Sequence, residues 1–206
     1  MNKMDIRIQN LEPDSYFHIY NRGINSNNIF QSEDNYYYFL KQFSKYILNV
    51  ADVLAYCLMP NHFHFIIKIK TKEELDEFIR NTKKSSSNTI EGLHSNQNIA
   101  SKQLSKFISS YTQSFNKVND RHGALLERPF KRKIIDTEEY LRNLIIYVHQ
   151  NPKDIKVNFK EYNHSSYKSI LSKSKTNLRR EDVINLFDNE ENFIFCHDKM
   201  INIDYD

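Results

Sequence analysis

In Pro60-Asn61-His62-Phe63-His64-Phe65-Ile66-Ile67, polar and apolar residues alternate. On an extended strand successive side chains point to opposite faces, so His62 and His64 share one face while Phe63, Phe65, Ile67 and Ile69 share the other. Two imidazoles side by side suit the holding of one cation. Lys68 and Lys70 lie further along the polar face, where they could meet an anion. The same spacing also describes two surface histidines on an amphipathic strand, and spacing alone leaves both readings open.

A second group lies in Tyr147-Val148-His149-Gln150-Asn151-Pro152. On a helix a four-residue step leaves Tyr147 and Asn151 about 40° apart, on one side. They flank a stripe formed by Tyr140, Leu141, Leu144, Ile145 and Val148, which is expected to pack on a sheet. A phenol at that margin could reach a site on the adjoining sheet face; a boundary tyrosine followed by a capping asparagine fits equally well. His149 points nearly the opposite way and is excluded as a ligand of the same cation. Tyr111 is a rival phenol, but its place within the stripe Leu104, Phe107, Ile108 and Phe115 argues for packing.

These residues need elements to position them. Tyr16–Arg22 alternates and ends at Gly23, which reads as a strand. Ser32 can cap a helix running to about Asn49. Val53–Leu58 and His62–Lys70 read as a hairpin that turns at Met59, Pro60 and Asn61. Thr71 and Glu74 have the spacing of a capping box, opening a helix to about Lys84. The stretch from Ser85 to Asn98 is polar and aperiodic, as a loop would be. Lys102–Asn119 reads as a helix. Leu125–Ile135 holds a strand that Pro129 confines to an edge or bulge. The helix from Thr137 must stop at Pro152, and a last helix is expected from Arg179 to Phe187. This order predicts an α+β fold in which an antiparallel sheet has helices on one face and the other face open.

The composition sets the frame. With 206 residues, 39% hydrophobic and 27% charged, the chain is expected to be a folded domain with an appended tail. It has no uninterrupted apolar run of spanning length, and Met1–Ser15 lacks the apolar centre of a signal peptide, so a cytoplasmic protein without a membrane segment is expected. Cys57 and Cys196 are too few for a disulfide framework and lack a zinc spacing. A net charge of +3 is far below that of proteins that coat nucleic acid by charge alone. The cations cluster, however, with Arg128, Lys131, Arg132 and Lys133 in one short segment. His18 and Arg22 share a strand face and could border the histidine site.

Taken together, these segments resemble a family. His62-Phe63-His64 resembles the histidine-hydrophobe-histidine motif of the single-tyrosine HUH transposases, the IS200-like group, and Tyr147 to Pro152 resembles their nucleophile helix. The resemblance is strongest to the REP-associated tyrosine transposases. It extends to Tyr16-Phe17-His18-Ile19-Tyr20-Asn21-Arg22-Gly23, to Ser110–Asn116 and to Gly123–Leu126, covering about Tyr16 to Tyr167 in the right order.

The resemblance implies an HUH, ferredoxin-like (RRM-like) core over residues 1–158 and a C-terminal extension, 159–206, packed on it. It implies a nuclease and strand transferase acting on single-stranded or hairpin DNA, with Tyr147 as nucleophile, His62, His64 and Asn151 as metal ligands, and Mg²⁺ or Mn²⁺ as cofactor. No nucleotide cofactor is expected. Zn²⁺ would need a further ligand, for which Cys57 is the nearby candidate. Arg22, Arg128, Lys131, Arg132 and Lys133 are expected to contact DNA. A monomer is favoured over a homodimer. The alternative is a domesticated protein that binds a DNA hairpin without cutting it, and a water-using metal hydrolase is a more distant one.

Overall fold

The computed structural model describes residues 9–84 and 99–199. Four antiparallel strands form one sheet in the order β2-β3-β1-β4: β1 is Tyr16–Arg22, β2 Ala51–Met59, β3 His62–Ile69 and β4 Lys131–Ile135. The β2–β3 hairpin pairs Met59 with His62 across the turn at Pro60 and Asn61. β1 pairs His64 with Tyr20 and His62 with Arg22. β4, which follows the cis Arg128–Pro129 bond, is the edge strand on β1.

The alternation sorts the side chains as the spacing predicts. Phe17, Ile19, Phe63, Phe65 and Ile67 face α1 (Glu33–Ile47) and α3 (Ile99–Val118). Burying each large apolar side chain there contributes roughly 1.5–3 kcal/mol. Phe39 of α1 packs on Phe63, Phe65 and Phe107, and Phe43 stacks on Phe65 at 3.9 Å. α2 (Lys72–Lys84) opens with the reciprocal box, in which Thr71 N–H donates to Glu74 Oε2 and Glu74 N–H to Thr71 Oγ1. The polar stretch at 85–98 lies outside the described residues.

The second face is partly covered. α4 (Glu138–Gln150) lays Leu141, Leu144, Ile145 and Val148 over the β2–β3 side, against Ala55, Cys57 and Ile66. Thr137 Oγ1 caps it, accepting from Tyr140 N–H at 3.1 Å. After the 3₁₀ turn at Asn151–Ile155, the chain returns along β2, where Leu58 N–H bonds to His164 C=O and Ser166 N–H to Tyr56 C=O. Three short helices follow, α5 (Tyr167–Leu171), α6 (Arg180–Leu186) and α7 (Glu190–Asp198). Of these, the sequence pattern marks only α6, because α5 is too short for a period and α7 has apolar residues on all sides.

A buried chain of hydrogen bonds pins α7 to α4. His197 Nδ1–H donates to the Phe193 carbonyl, so its Nε2 must accept from His149 Nδ1–H at 2.8 Å, and His149 Nε2 in turn accepts from Ser166 O–H at 2.8 Å. Both imidazoles are fully buried, and burial lowers their pKa values, His197 to about 4. His149 thus serves the far side of α4. Among the described residues no helix is long and apolar enough to cross a membrane.

Candidate active site

On the second face, β1, β3 and the C-terminal end of α4 come together beside the α4 core. His62 and His64 stand there edge to face, with ring centroids 5.1 Å apart. Tyr147 on α4 presents its ring against His64 at 5.8 Å, also edge to face. Asn151 ends the helix: its Nδ2 donates to Tyr147 C=O at 2.9 Å, which turns its Oδ1 toward His62 Nε2, 3.4 Å away. Pro152 has no N–H to continue the helix, so the chain leaves α4 at this point.

Proton counting gives this contact its chemistry. His62 Nδ1 is 2.7 Å from Asn61 Oδ1, and Asn61 Nδ2 donates to Ser26 C=O at 3.3 Å, which fixes the amide orientation. The single N–H of a neutral imidazole is therefore spent on Asn61. Burial, the largest influence, and Arg22 lower the pKa of His62, against the opposing influences of Asn151 and Asp154, so the ring is neutral near pH 7. Its Nε2 lone pair then faces an oxygen lone pair at 3.4 Å. Two acceptors at that range repel unless a cation lies between them, and imidazole plus amide oxygen is a mixed donor set that a divalent cation can accept. The residues fit such an ion.

His64 is 7% exposed, and its pKa is held well below the usual histidine range by burial and by the neighbouring rings of His18 and His62. Its Nδ1 is 2.8 Å from His18 Nε2. His18 is 2% exposed, stacked on Tyr20 at 4.5 Å, with a pKa lowered to about 3 by burial and by Lys133. All three imidazoles are thus neutral donors to a metal or to one another. Among the described residues no group of three or more His, Cys, Asp or Glu could hold a metal, so a tetrahedral zinc site of such ligands is absent there. Cys57 lies opposite His64 in register, fully buried, with burial pushing its thiol pKa far up, which keeps it protonated.

The structure divides the other expected residues. Arg22 is exposed at the end of β1, directly opposite His62. Lys131 and Lys133 are on the same sheet face: Lys131 Nζ lies 5.6 Å from the Tyr20 ring centre and Lys133 Nζ 5.4 Å from that of Tyr140. Arg132, one position between them, is on the α3 side, where its guanidinium donates to Ser101 Oγ at 2.7 Å. Arg128 joins it there, lining a cavity of about 520 Å³ between α3 and the segment before β4. Lys68 and Lys70 are roughly 20 and 26 Å along the strand from His62 and pair with Asp14 and with Asp52 and Glu74. Tyr111 is in the opposite core, 1% exposed, its hydroxyl donating to Ile29 C=O at 2.5 Å.

Two residues of this site carry a weaker sequence signal than their geometry warrants. Asn61 reads as a turn residue in the hairpin, and His18 as one of several polar side chains on β1. Their contacts to His62 and His64 depend on strand register and on the path of the loop at 24–28.

The solved structure described as the REP-associated tyrosine transposase bound to a REP hairpin is similar in fold, with a TM-score of 0.51 and 11% sequence identity over 84% of this chain and 87% of that one. A bacterial tRNA(His) guanylyltransferase-like protein in complex with GTP aligns with a TM-score of 0.41 and 12% identity over 76% of this chain and 73% of that one. No curated protein sequence matches. The match to a family model begins before β1 and ends after α3, so it takes in His62 and His64 and stops short of Tyr147 and Asn151. Over residues 13–120, more than half of its length, the chain matches the family described as Transposase IS200 like, and it belongs to that family.

Proposed function

We propose that the protein is a metal-assisted DNA endonuclease and strand transferase that cleaves and rejoins single-stranded or hairpin DNA through a 5′-phosphotyrosine. The observation that carries this reading is the convergence of His62 Nε2 and Asn151 Oδ1 at 3.4 Å, beside Tyr147, whose ring abuts His64. Residues 1–158 act as the catalytic unit, and 159–206 as an extension packed on it, in a monomer.

Tyr147 supplies the attacking oxygen. Its Oη forms a bond to phosphorus as the bond to the 3′-oxygen breaks; the phenol proton leaves to solvent and the departing 3′-oxygen takes one up. The strand is left with a free 3′-hydroxyl and a phosphotyrosine of similar bond energy, so a 3′-hydroxyl can reverse the step and join strands. His62, His64 and Asn151 would hold Mn²⁺ or Mg²⁺, which when bound polarises the scissile phosphate. A phenol of ordinary pKa near 10 is protonated at neutral pH, which is why the reaction needs that help. Arg22, Lys131 and Lys133 line the approach and neutralise backbone phosphates. The hairpin named in the similar solved structure motivates the choice of substrate.

The test incubates the protein with labelled hairpin and unstructured DNA from the flanks of its gene, with Mn²⁺ or Mg²⁺, and resolves the products on a denaturing gel. A labelled protein band that requires metal and disappears in Tyr147→Phe is the expected result. Binding with no adduct under either metal favours a hairpin-binding protein that does not cut. Metal-dependent cleavage that survives Tyr147→Phe without an adduct indicates water as nucleophile.

A further inference from the structure

We propose that Asn61 and His18 are positioning residues that hold His62 and His64 in the Nδ1–H tautomer, leaving both Nε2 atoms as lone pairs for the shared site. This inference rests on the reading of that site as a cation site.

For His62 the assignment follows from Asn61. The Asn61 amide is oriented by its donation to Ser26 C=O, so only its oxygen faces the ring, and an oxygen 2.7 Å from Nδ1 requires the proton there. Ser26 itself is held by a loop with two successive left-handed residues, Asn25 at φ 55° and Ser26 at φ 58°. Gly23 lets that loop fold back, since a Cβ at this position would lie 2.0 Å from Asn27 O. The loop path therefore determines where Ser26 C=O stands, and through Asn61 which nitrogen of His62 is bare.

For His64 the partner is another imidazole. A 2.8 Å contact between His18 Nε2 and His64 Nδ1 holds one proton, on one nitrogen or the other. If His18 donates, neutral His64 must carry its own proton on Nε2 and cannot ligate. If His64 donates, its Nε2, the ring nitrogen directed away from His18, is a lone pair. The near-parallel rings of His18 and His64, 17° apart, and the stack of His18 on Tyr20 keep the two nitrogens aligned. Ligating histidines ordinarily depend on such a partner for ring orientation and basicity, and losing it lowers metal affinity 10–100-fold.

The experiment uses the full chain, ¹⁵N-labelled at histidine and free of metal, with long-range ¹H–¹⁵N spectra at pH 7.5 to read the protonated nitrogen of each ring. Mn²⁺ binding is then measured by calorimetry for wild type, Asn61→Ala, Asn61→Asp and His18→Phe. The proposal expects wild-type His62 and His64 to be Nδ1–H. Asn61→Ala releases the His62 tautomer and weakens Mn²⁺ binding 10–100-fold, whereas Asn61→Asp, which keeps an oxygen acceptor, restores both. His18→Phe keeps the stacked ring, releases the His64 tautomer and weakens binding similarly. A wild-type spectrum with Nε2–H on either ligand overturns the proposal, as does a tautomer change in Asn61→Ala with Mn²⁺ affinity unaltered. Wild-type Nδ1–H on both rings with no Mn²⁺ binding supports the positioning and overturns the cation reading, so the two failures are distinguishable. Should His18→Phe not fold, the wild-type spectrum and the Asn61 pair decide.

Discussion

His62 Nε2 and Asn151 Oδ1 face one another at 3.4 Å across 89 residues of chain, one at the start of a strand and the other at the end of a helix. Neither has a proton to offer the other once Asn61 has taken that of His62 and Tyr147 C=O has oriented the amide. Asn151→Ala removes one of the two lone pairs and is expected to weaken Mn²⁺ binding at least about tenfold, by analogy with disturbed ligand shells. Asn151→Asp supplies a carboxylate in its place and should bind Mn²⁺ at least as well as wild type. Calorimetric titration of the two variants checks both.

The two phenols should behave oppositely. Tyr111→Phe leaves Ile29 C=O without its buried donor, which costs about 1–3 kcal/mol and lowers the urea midpoint, while DNA adduct formation continues. Tyr147→Phe retains the ring against His64 and should lose the adduct.

The basic segment before and within β4 should divide by face. Lys131→Ala and Lys133→Ala are expected each to reduce the dependence of log affinity on log salt for single-stranded DNA by about 0.7. Arg132→Ala should leave that slope unchanged and lower thermal stability instead, because its guanidinium bonds Ser101 on the α3 side. Binding titrations at three salt concentrations separate the two.

Acid should loosen the C-terminal helices. The folded pKa of His197 lies at about 4, below the ordinary value of 6.5, so the unfolded chain binds the proton more readily. Stability from this group is complete above about pH 6.5 and falls as the pH drops toward 4, by about 3 kcal/mol in all. His149 is shifted in the same direction and adds to the loss. Urea midpoints at pH 7.5, 6, 5 and 4 should decline in that window, and a midpoint constant from 7.5 to 5 would contradict it.

Gly23 has an extended backbone, so its value lies in space. A Cβ there would lie 2.0 Å from Asn27 O, and Gly23→Ala must move the loop at 24–28. The expected cost is about 1–3 kcal/mol. Because Ser26 C=O moves with the loop, weaker Mn²⁺ binding should accompany the lower melting temperature.

Local order was legible wherever a short-range rule governs it. Alternation alone put His62 and His64 on one face and Phe63 and Phe65 on the other, the Thr71 and Glu74 spacing marked a helix start, and Pro129 marked an edge strand. The four-residue step from Tyr147 to Asn151 set them on one side of α4, and His149 on the other. Each of these depends only on neighbours within a turn or two of the chain. What tertiary structure alone decided depends on register and packing across long separations. Alternation separates Arg132 from Lys131 and Lys133, but strand pairing determines which of the two faces carries the histidines. Packing of α4 and the C-terminal helices covered part of a face expected to be open, since the apolar side chains of β2 needed a partner. The proton on His62 was decided by Ser26, 36 residues earlier, because hydrogen-bond geometry selects between two nitrogens that the residue name leaves equivalent.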